Sequence, residues 1–283
     1  MARVTVPEAE QLLDQEIPVL DKGFVRLVDY LGGDQRIVQS ARVSYGEGTK
    51  SVREDRGLIR YLLRHAHTSP FEQVVLTFHC KMPIFVARQW IRHRTARLNE
   101  ISGRYSVMRD EFYVPQPDQV RTQSTTNRQG RGPEAVETAQ ARQIVERLVD
   151  DQQALYQGYQ ELIEQDVARE LARINLPLSL YTEWYWQIDL HNLFHFLRLR
   201  LDPHAQYEIR AYAQALYRCA RAVAPIACEA FEEYERHGAR FSREELAALR
   251  AMLHGEGCPI QNERRRREFF EKLETDDSAA APE

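Results

Sequence analysis

One stretch constrains this chain more than any other. The apolar run Ile84-Phe85-Val86-Ala87-Arg88-Gln89-Trp90-Ile91 passes directly into Arg92-His93-Arg94-Thr95-Ala96-Arg97-Leu98-Asn99-Glu100-Ile101-Ser102-Gly103-Arg104-Tyr105. Arginine in apolar surroundings is costly unless a partner neutralises it. Guanidinium forks match the paired oxygens of phosphates and carboxylates. The sequence therefore predicts the end of a buried helix that opens into an anion-binding loop, with Gly103 letting the backbone come close to a ligand.

At 283 residues the chain is long enough to bury a real core, as one large domain or two small ones. The net charge of −4 gives no overall basic field for nucleic acid. No apolar run reaches the length of a membrane span, and Met1 to Glu8 lacks the apolar core of a signal peptide, so a cytoplasmic protein is expected. Cys80, Cys219, Cys228 and Cys258 have neither metal spacing nor a disulfide framework, and are expected reduced and inert.

Residues 1–22 read as a loose polar arm with one short helix, 23–240 as the main domain, and 241–283 as a helical extension with a frayed tail. Phe24 to Tyr30 alternates as a strand and stops at Gly32-Gly33. Asp34 is placed to cap a helix through about Val43, and Leu58, Ile59, Leu62 and Leu63 give helical spacing within 53–65. Val74 to Cys80 is a β-branched and aromatic strand, and Pro83 opens a helix to about Arg94. The polar stretch 116–133 reads as a long surface loop. A long helix is expected over 134–164, a shorter one over 166–174, and an aromatic strand over 178–188. Asp189 can cap a helix over 191–201, and a second long helix covers 205–234. Without regular βαβ alternation the class is α+β.

Several residues invite more than one reading. His191 and His195 stand four apart on one helix, as a metal pair or as a polar face; no His-Glu-x-x-His pattern surrounds them and no metal is expected. Ser102 lacks both a nucleophile elbow and an adjacent base. Cys80 lies on a predicted core strand with no activating cluster. Arg264 to Arg267 are diluted by neighbouring acids and read as a solvated helix.

Arg92-His93-Arg94, seven residues, then Ser102, extended by Asn99-Glu100 and Arg104-Tyr105, resembles the signature of flavin-dependent thymidylate synthases. The resemblance runs from about Phe24 to Tyr234. It implies that family's α+β fold, a mixed sheet with long helices, assembled as a homotetramer with active sites between subunits. It implies conversion of dUMP to dTMP, with 5,10-methylenetetrahydrofolate as carbon donor and FAD reduced by NADPH. His67-Thr68-Ser69-Pro70-Phe71-Glu72 resembles the family's second segment and implies flavin contacts at His67 and Ser69. Further flavin contacts are implied at Arg92, His93, Arg94, Glu100, Asp189, Leu190, His191 and His195. A common version of the pattern carries asparagines and an arginine around 189–195, so here the resemblance implies the region rather than the individual bonds.

For dUMP the resemblance implies a cradle of Gln89, Trp90, Ile91 and Arg92 at the helix end with Glu100, Ile101, Ser102, Gly103 and Arg104 in the loop. Ser102 then hydrogen-bonds the nucleotide. Arg173 matches a nucleotide-binding arginine supplied by a neighbouring subunit, and Arg200 matches the arginine that activates the pyrimidine. No Gly-x-Gly-x-x-Gly turn is present, so the FAD is not held in a Rossmann manner. Two other classes fit parts of the pattern: another flavin-dependent reductase on the same fold, and a nucleic-acid-binding module built on the arginine-rich loop.

Overall fold

Alternation at Phe24-Val25-Arg26-Leu27 sends successive side chains to opposite faces, and a strand forms there. The computed structural model describes residues 5–43, 52–125 and 130–274. The chain divides into two units, Met1–Phe231 and Glu232–Glu283.

The strands of the first unit are β1 (Glu16–Val19), β2 (Gly23–Leu31), β3 (Val75–Pro83), β4 (Arg97–Glu100), β5 (Arg121–Gln123), β6 (Arg131–Ala135) and β7 (Tyr181–Asp189). Its helices are α1 (Pro7–Glu10), α2 (Asp34–Arg42), α3 (Val52–Arg64), α4 (Ile84–Trp90), α5 (Thr138–Glu164), α6 (Arg169–Ala172), α7 (Leu190–Arg200), α8 (Tyr207–Val223) and α9 (Pro225–Phe231). Five strands make one sheet in the order β1-β2-β3-β7-β4, and β5 and β6 form a separate hairpin. Every pairing in the sheet is antiparallel, where a mixed sheet was expected.

The two long inner strands carry the core. Leu76, Phe78 and Cys80 of β3 and Trp184, Trp186 and Ile188 of β7 are buried. Trp90, at the last position of α4, is 0% exposed. Its ring stands edge-on to Trp184 at 5.3 Å and to Trp186 at 5.2 Å, with Phe196 at 5.2 Å and Tyr212 at 5.9 Å. Tyr212 donates to the carbonyl of Lys81 at 2.7 Å, which ties α8 to the end of β3. This aromatic cluster clamps α4, α7 and α8 onto one sheet face. The other face is polar: His79 lies between Arg26 and Glu183 and stacks on Tyr185 at 4.9 Å.

Several expectations change. The arm expected over 1–22 carries the edge strand β1 and a buried Ala9, and residues 1–4 lie outside the described residues. Asp34 does not cap its own helix. Its carboxylate accepts from the backbone of Ile226 at 2.8 Å and Ala227 at 2.9 Å, and so caps α9. Burial outweighs those bonds and raises the acid to about 6. Helix α4 ends at Trp90, four residues before the expected end, which frees Arg92 to Arg94 from helical geometry. The motif itself contains β4, whose four residues are all exposed and pair with β7 alone. The loop expected over 116–133 contains a 3-10 turn at Pro117–Gln119 and the β5–β6 hairpin; residues 126–129 lie outside the described residues. The helix expected over 205–234 is interrupted at Ala224, because Pro225 opens a new helix, and a π-helical turn follows at Glu232–Arg236.

The second unit holds α10 (Arg243–Leu253) and α11 (Glu263–Glu271) around Ala248, Ile260 and Phe269. Ser242 and Glu245 form a capping box on α10, and the Asn262 side chain caps α11. Arg264 and Arg267 pair with Glu268 and Glu271 one turn on, as a solvated helix does. The tail expected to fray is ordered as α11 as far as Glu271, and residues 275–283 lie outside the described residues.

Candidate active site

Asp189 has both jobs that end a strand and start a helix. It is the last residue of β7, and its carboxylate accepts from the Asn192 backbone at 2.9 Å and from the Asn192 side chain at 2.8 Å. Helix α7 then carries His191, His195 and Arg200 along its length, about 1.5 Å of rise per residue. The segment before β3 lies beside its start: Phe71 packs on Phe194 at 6.4 Å, and Leu190 donates to the Val74 carbonyl at 2.8 Å. That places the exposed His67 and Ser69 just upstream of the turn that meets α7.

The first group of expected residues gathers at the end of α7. Arg200 is half-buried and donates its Nε–H to His93 Nε2 at 3.2 Å. His93 also meets the ring of Phe196 at 4.8 Å and that of His195 at 5.7 Å. Burial is the main cause that lowers His93 to about 4, and the Arg200 and His195 charges push the same way. Neutral His93 accepts from Arg200 at Nε2, which requires the proton on Nδ1. The guanidinium is thus oriented through Nε, and among the described residues its two terminal nitrogens are left for a ligand. Burial lowers the Arg200 pKa as well, which strengthens its interaction with an anion. Gln89 of α4 donates to Gln206, which borders a cavity of about 660 Å³ lined by the β5–β6 hairpin and Pro203 to Tyr207.

The second group sits at the other end of β4. Glu100 accepts from Thr182 at 2.6 Å, and Ile101 donates to the Glu183 carbonyl at 2.9 Å. The loop then turns on Ser102, whose hydroxyl accepts from the Arg104 backbone at 3.3 Å. A Cβ at Gly103 would lie 2.9 Å from Met108 Sδ and 3.1 Å from Cδ and Nη1 of Arg173. Arg173 therefore already packs against the Gly103 loop of its own chain, where the sequence placed it across from another chain's loop. The loop is pinned to α6 by Arg104–Glu170 at 3.0 Å and by Arg169 donating to the Tyr105 carbonyl at 2.8 Å.

The indole of Trp90 and the side chain of Leu190, both expected at the site, are fully buried. The Leu190 N–H is taken by Val74 as well. Sequence reasoning also missed Glu208, Arg131 and Tyr113, a network in which buried Glu208 and Tyr113 meet the more exposed Arg131 behind Gln206. One signal was available for Glu208: it falls one turn before Tyr212 and two before Leu216, on the apolar stripe of α8.

The donor set fits a flavin dinucleotide. Among the described residues, the exposed Arg92 and Arg94 have no carboxylate partner, and both lie in the loop that leads to Arg97 opposite Gln187 of β7. Unpaired guanidinium groups there suit a diphosphate. Among the described residues no group of three His, Cys, Asp or Glu side chains could hold a metal ion, and no helix is long and apolar enough to cross a membrane. Cys80, Cys219 and Cys228 are buried and outside any disulfide, and burial pushes Cys80 well up and Cys219 up to about 12.

A fold of this kind, with arginines gathered at two ends of one edge strand, defines a nucleotide-handling enzyme. The family model described as thymidylate synthase complementing protein matches residues 26–226, and that of the thymidylate synthase ThyX C-terminal domain matches 239–279. The flavin-dependent thymidylate synthase of Treponema denticola is 60% identical over 93% of this chain and 98% of its own. That of Rickettsia conorii is 52% identical over 90% of each chain. The crystal structure of the UMP/dUMP methylase PolB from Streptomyces cacaoi, bound with 5-Br dUMP, superimposes with a TM-score of 0.70 at 33% identity, over 78% of this chain and 99% of that one. The chain belongs to the flavin-dependent thymidylate synthase family.

The His93 environment carries a pH dependence. The folded pKa of about 4 lies below the ordinary 6.5, so the unfolded chain binds more protons between those values. Stability is therefore lost as pH falls through that window. Asp34, raised to about 6, acts in the opposite sense, with stability falling as pH rises, and is unchanged by a substitution at His93. A His93→Asn variant is expected to lose less stability than the native protein between about pH 7 and pH 5. Urea midpoints at the two pH values measure this, and equal losses would contradict the assignment.

Proposed function

We propose that this chain converts dUMP to dTMP in the cytoplasm, taking a methylene from 5,10-methylenetetrahydrofolate and using FAD reduced by NADPH. Bound and reduced, the flavin supplies the hydride that turns methylene into methyl. Arg92, His93 and Arg94 with His67, Ser69, Glu100, Asp189, His191 and His195 hold it; Leu190 supports them from the core. Gln89, Ile91 and Arg92 with Glu100, Ile101, Ser102, Gly103 and Arg104 hold the nucleotide, with Arg173 beside Gly103. Trp90 seats the helix end.

Arg200 is the chemical residue. Carbon 5 of uracil attacks the methylene only when electron density is pushed onto it. A guanidinium at ring nitrogen 3 and its adjacent carbonyl stabilises the anionic ring that does this. His93, kept neutral by burial, holds that guanidinium in place without competing for the negative charge.

The observation that carries the shared site is the separation of the two groups. The two groups lie at opposite ends of β4, and in this reading each site takes its Gly103–Arg173 half from one subunit and its Arg200 half from another, within a homotetramer. Exposed apolar side chains support an interface there: Ile101, Tyr105, Val107, Leu171, Ile174 and Leu178 surround Arg104 and Arg173. The test is complementation. Arg173→Ala and Arg200→Ala proteins, each nearly inactive, are expected to recover about a quarter of native activity when unfolded and refolded together, because random assembly returns some intact sites. No recovery in verified mixed oligomers would place both halves in one chain.

A further inference from the structure

A carboxylate behind the cradle has no part in the chemistry described so far. Glu208, in the first turn of α8, is 1% exposed. A buried carboxylate persists only where its oxygens find donors. Three are present: Arg131 of β6 pairs with Oε1, the Tyr113 hydroxyl donates to Oε1 at 3.1 Å, and Gln206 Nε2 donates to Oε2 at 2.8 Å.

A carboxylate ion-paired to arginine only accepts. That fixes the Gln206 amide, with its NH₂ on Glu208 and its carbonyl on Gln89. Gln89 then has one choice, to donate its own NH₂ to Gln206 Oε1. Among the described residues nothing else bonds Gln89, and with its Nε2 turned to Gln206 its Oε1 is the acceptor offered on the other side of the amide, beside one remaining N–H. A carbonyl oxygen repels phosphate oxygens and attracts a hydroxyl or an N–H.

We propose that Glu208 is a positioning residue: through Gln206 it fixes the Gln89 amide so that its carbonyl accepts from a sugar hydroxyl or ring N–H of dUMP rather than its NH₂ meeting the phosphate. This rests on the reading that Gln89 lies in the dUMP cradle. Without the anchor both amides are free to turn over, and the acceptor is presented only part of the time.

The test is a mutant cycle read as dUMP affinity, with flavin occupancy and melting temperature followed in each protein. Gln206→Met breaks the relay at an exposed position and leaves the Glu208–Arg131 pair intact, so the fold is kept. Glu208→Gln replaces an acceptor by a group that also donates. Gln89→Met, Gln206→Met and Glu208→Gln are each expected to weaken dUMP binding about tenfold, with turnover at saturation little changed. In the Gln89→Met background, neither of the other two adds to the loss, whereas a merely structural role is additive. The loss in Gln206→Met persists for deoxyuridine, which lacks the phosphate. Native affinity in Gln206→Met with a weakened Gln89→Met overturns the relay alone. Additive losses, or a loss confined to dUMP, overturn it too. Native affinity in Gln89→Met removes the cradle reading and the relay with it.

Discussion

Arg200→Ala is expected to lower dUMP turnover at saturation by about 10²–10³-fold, the cost of removing one preorganised donor from a developing negative charge. Flavin occupancy is measured alongside, because Arg200 stands at the far end of α7 from Asp189 and His191 but donates to His93, which is assigned to the flavin. Its Nε is committed to His93 and burial has partly stripped its water, so its charge is preorganised before substrate arrives. A group that acts mainly as charge develops lowers turnover more than ground-state binding. Arg200→Lys keeps the charge, loses the planar fork and the bond to His93, and should recover only part of the rate. Turnover and dUMP affinity measured together decide this. A variant that binds dUMP weakly yet turns over normally at saturation would reduce Arg200 to a binding residue.

Trp90→Ala should have the largest effect on stability, about 3–5 kcal/mol for deleting a buried indole. That is a large share of the total of about 5–15 kcal/mol expected of a domain. The ring touches four aromatic side chains from three other elements, so its loss opens a cavity that none of them can fill alone. Trp90 also sets where α4 ends, and with it Gln89 and Arg92, so ligand affinity should fall together with stability. Ile91→Ala, one residue on and exposed, should leave the unfolding midpoint within about 0.5 kcal/mol of native. Equal midpoints for native and Trp90→Ala proteins would remove Trp90 from the core.

What the sequence made legible was local. The alternation of β2, the aromatic β7 and the Asp189 cap depend on neighbours within a few residues, and each is found close to its expected place. What escaped depended on distant partners. Asp34 has the form of a cap for its own helix, but the backbone it caps lies 192 residues away. Strand β4 has no apolar alternation because all four residues face outward; it exists because β7 offers an edge. Glu208 was passed over because its donors come from β6, from Tyr113 and from Gln206. The site residues themselves came from family resemblance. Physical reading of Arg92 to Arg104 reached only an anion-binding loop, and geometry then divided those residues into two groups at opposite ends of β4.

In the proposed reaction the flavin, and not the folate, supplies the reducing electrons. The most direct test is to analyse both products when the purified protein is given dUMP, 5,10-methylenetetrahydrofolate and NADPH. Turning a methylene into a methyl group consumes a hydride. If that hydride comes from NADPH by way of the flavin, electron balance leaves the folate as tetrahydrofolate, with dTMP and oxidised NADPH formed in equal amounts. Dihydrofolate formed in step with dTMP, without NADPH consumption, would mean that the folate itself was oxidised and would contradict the account.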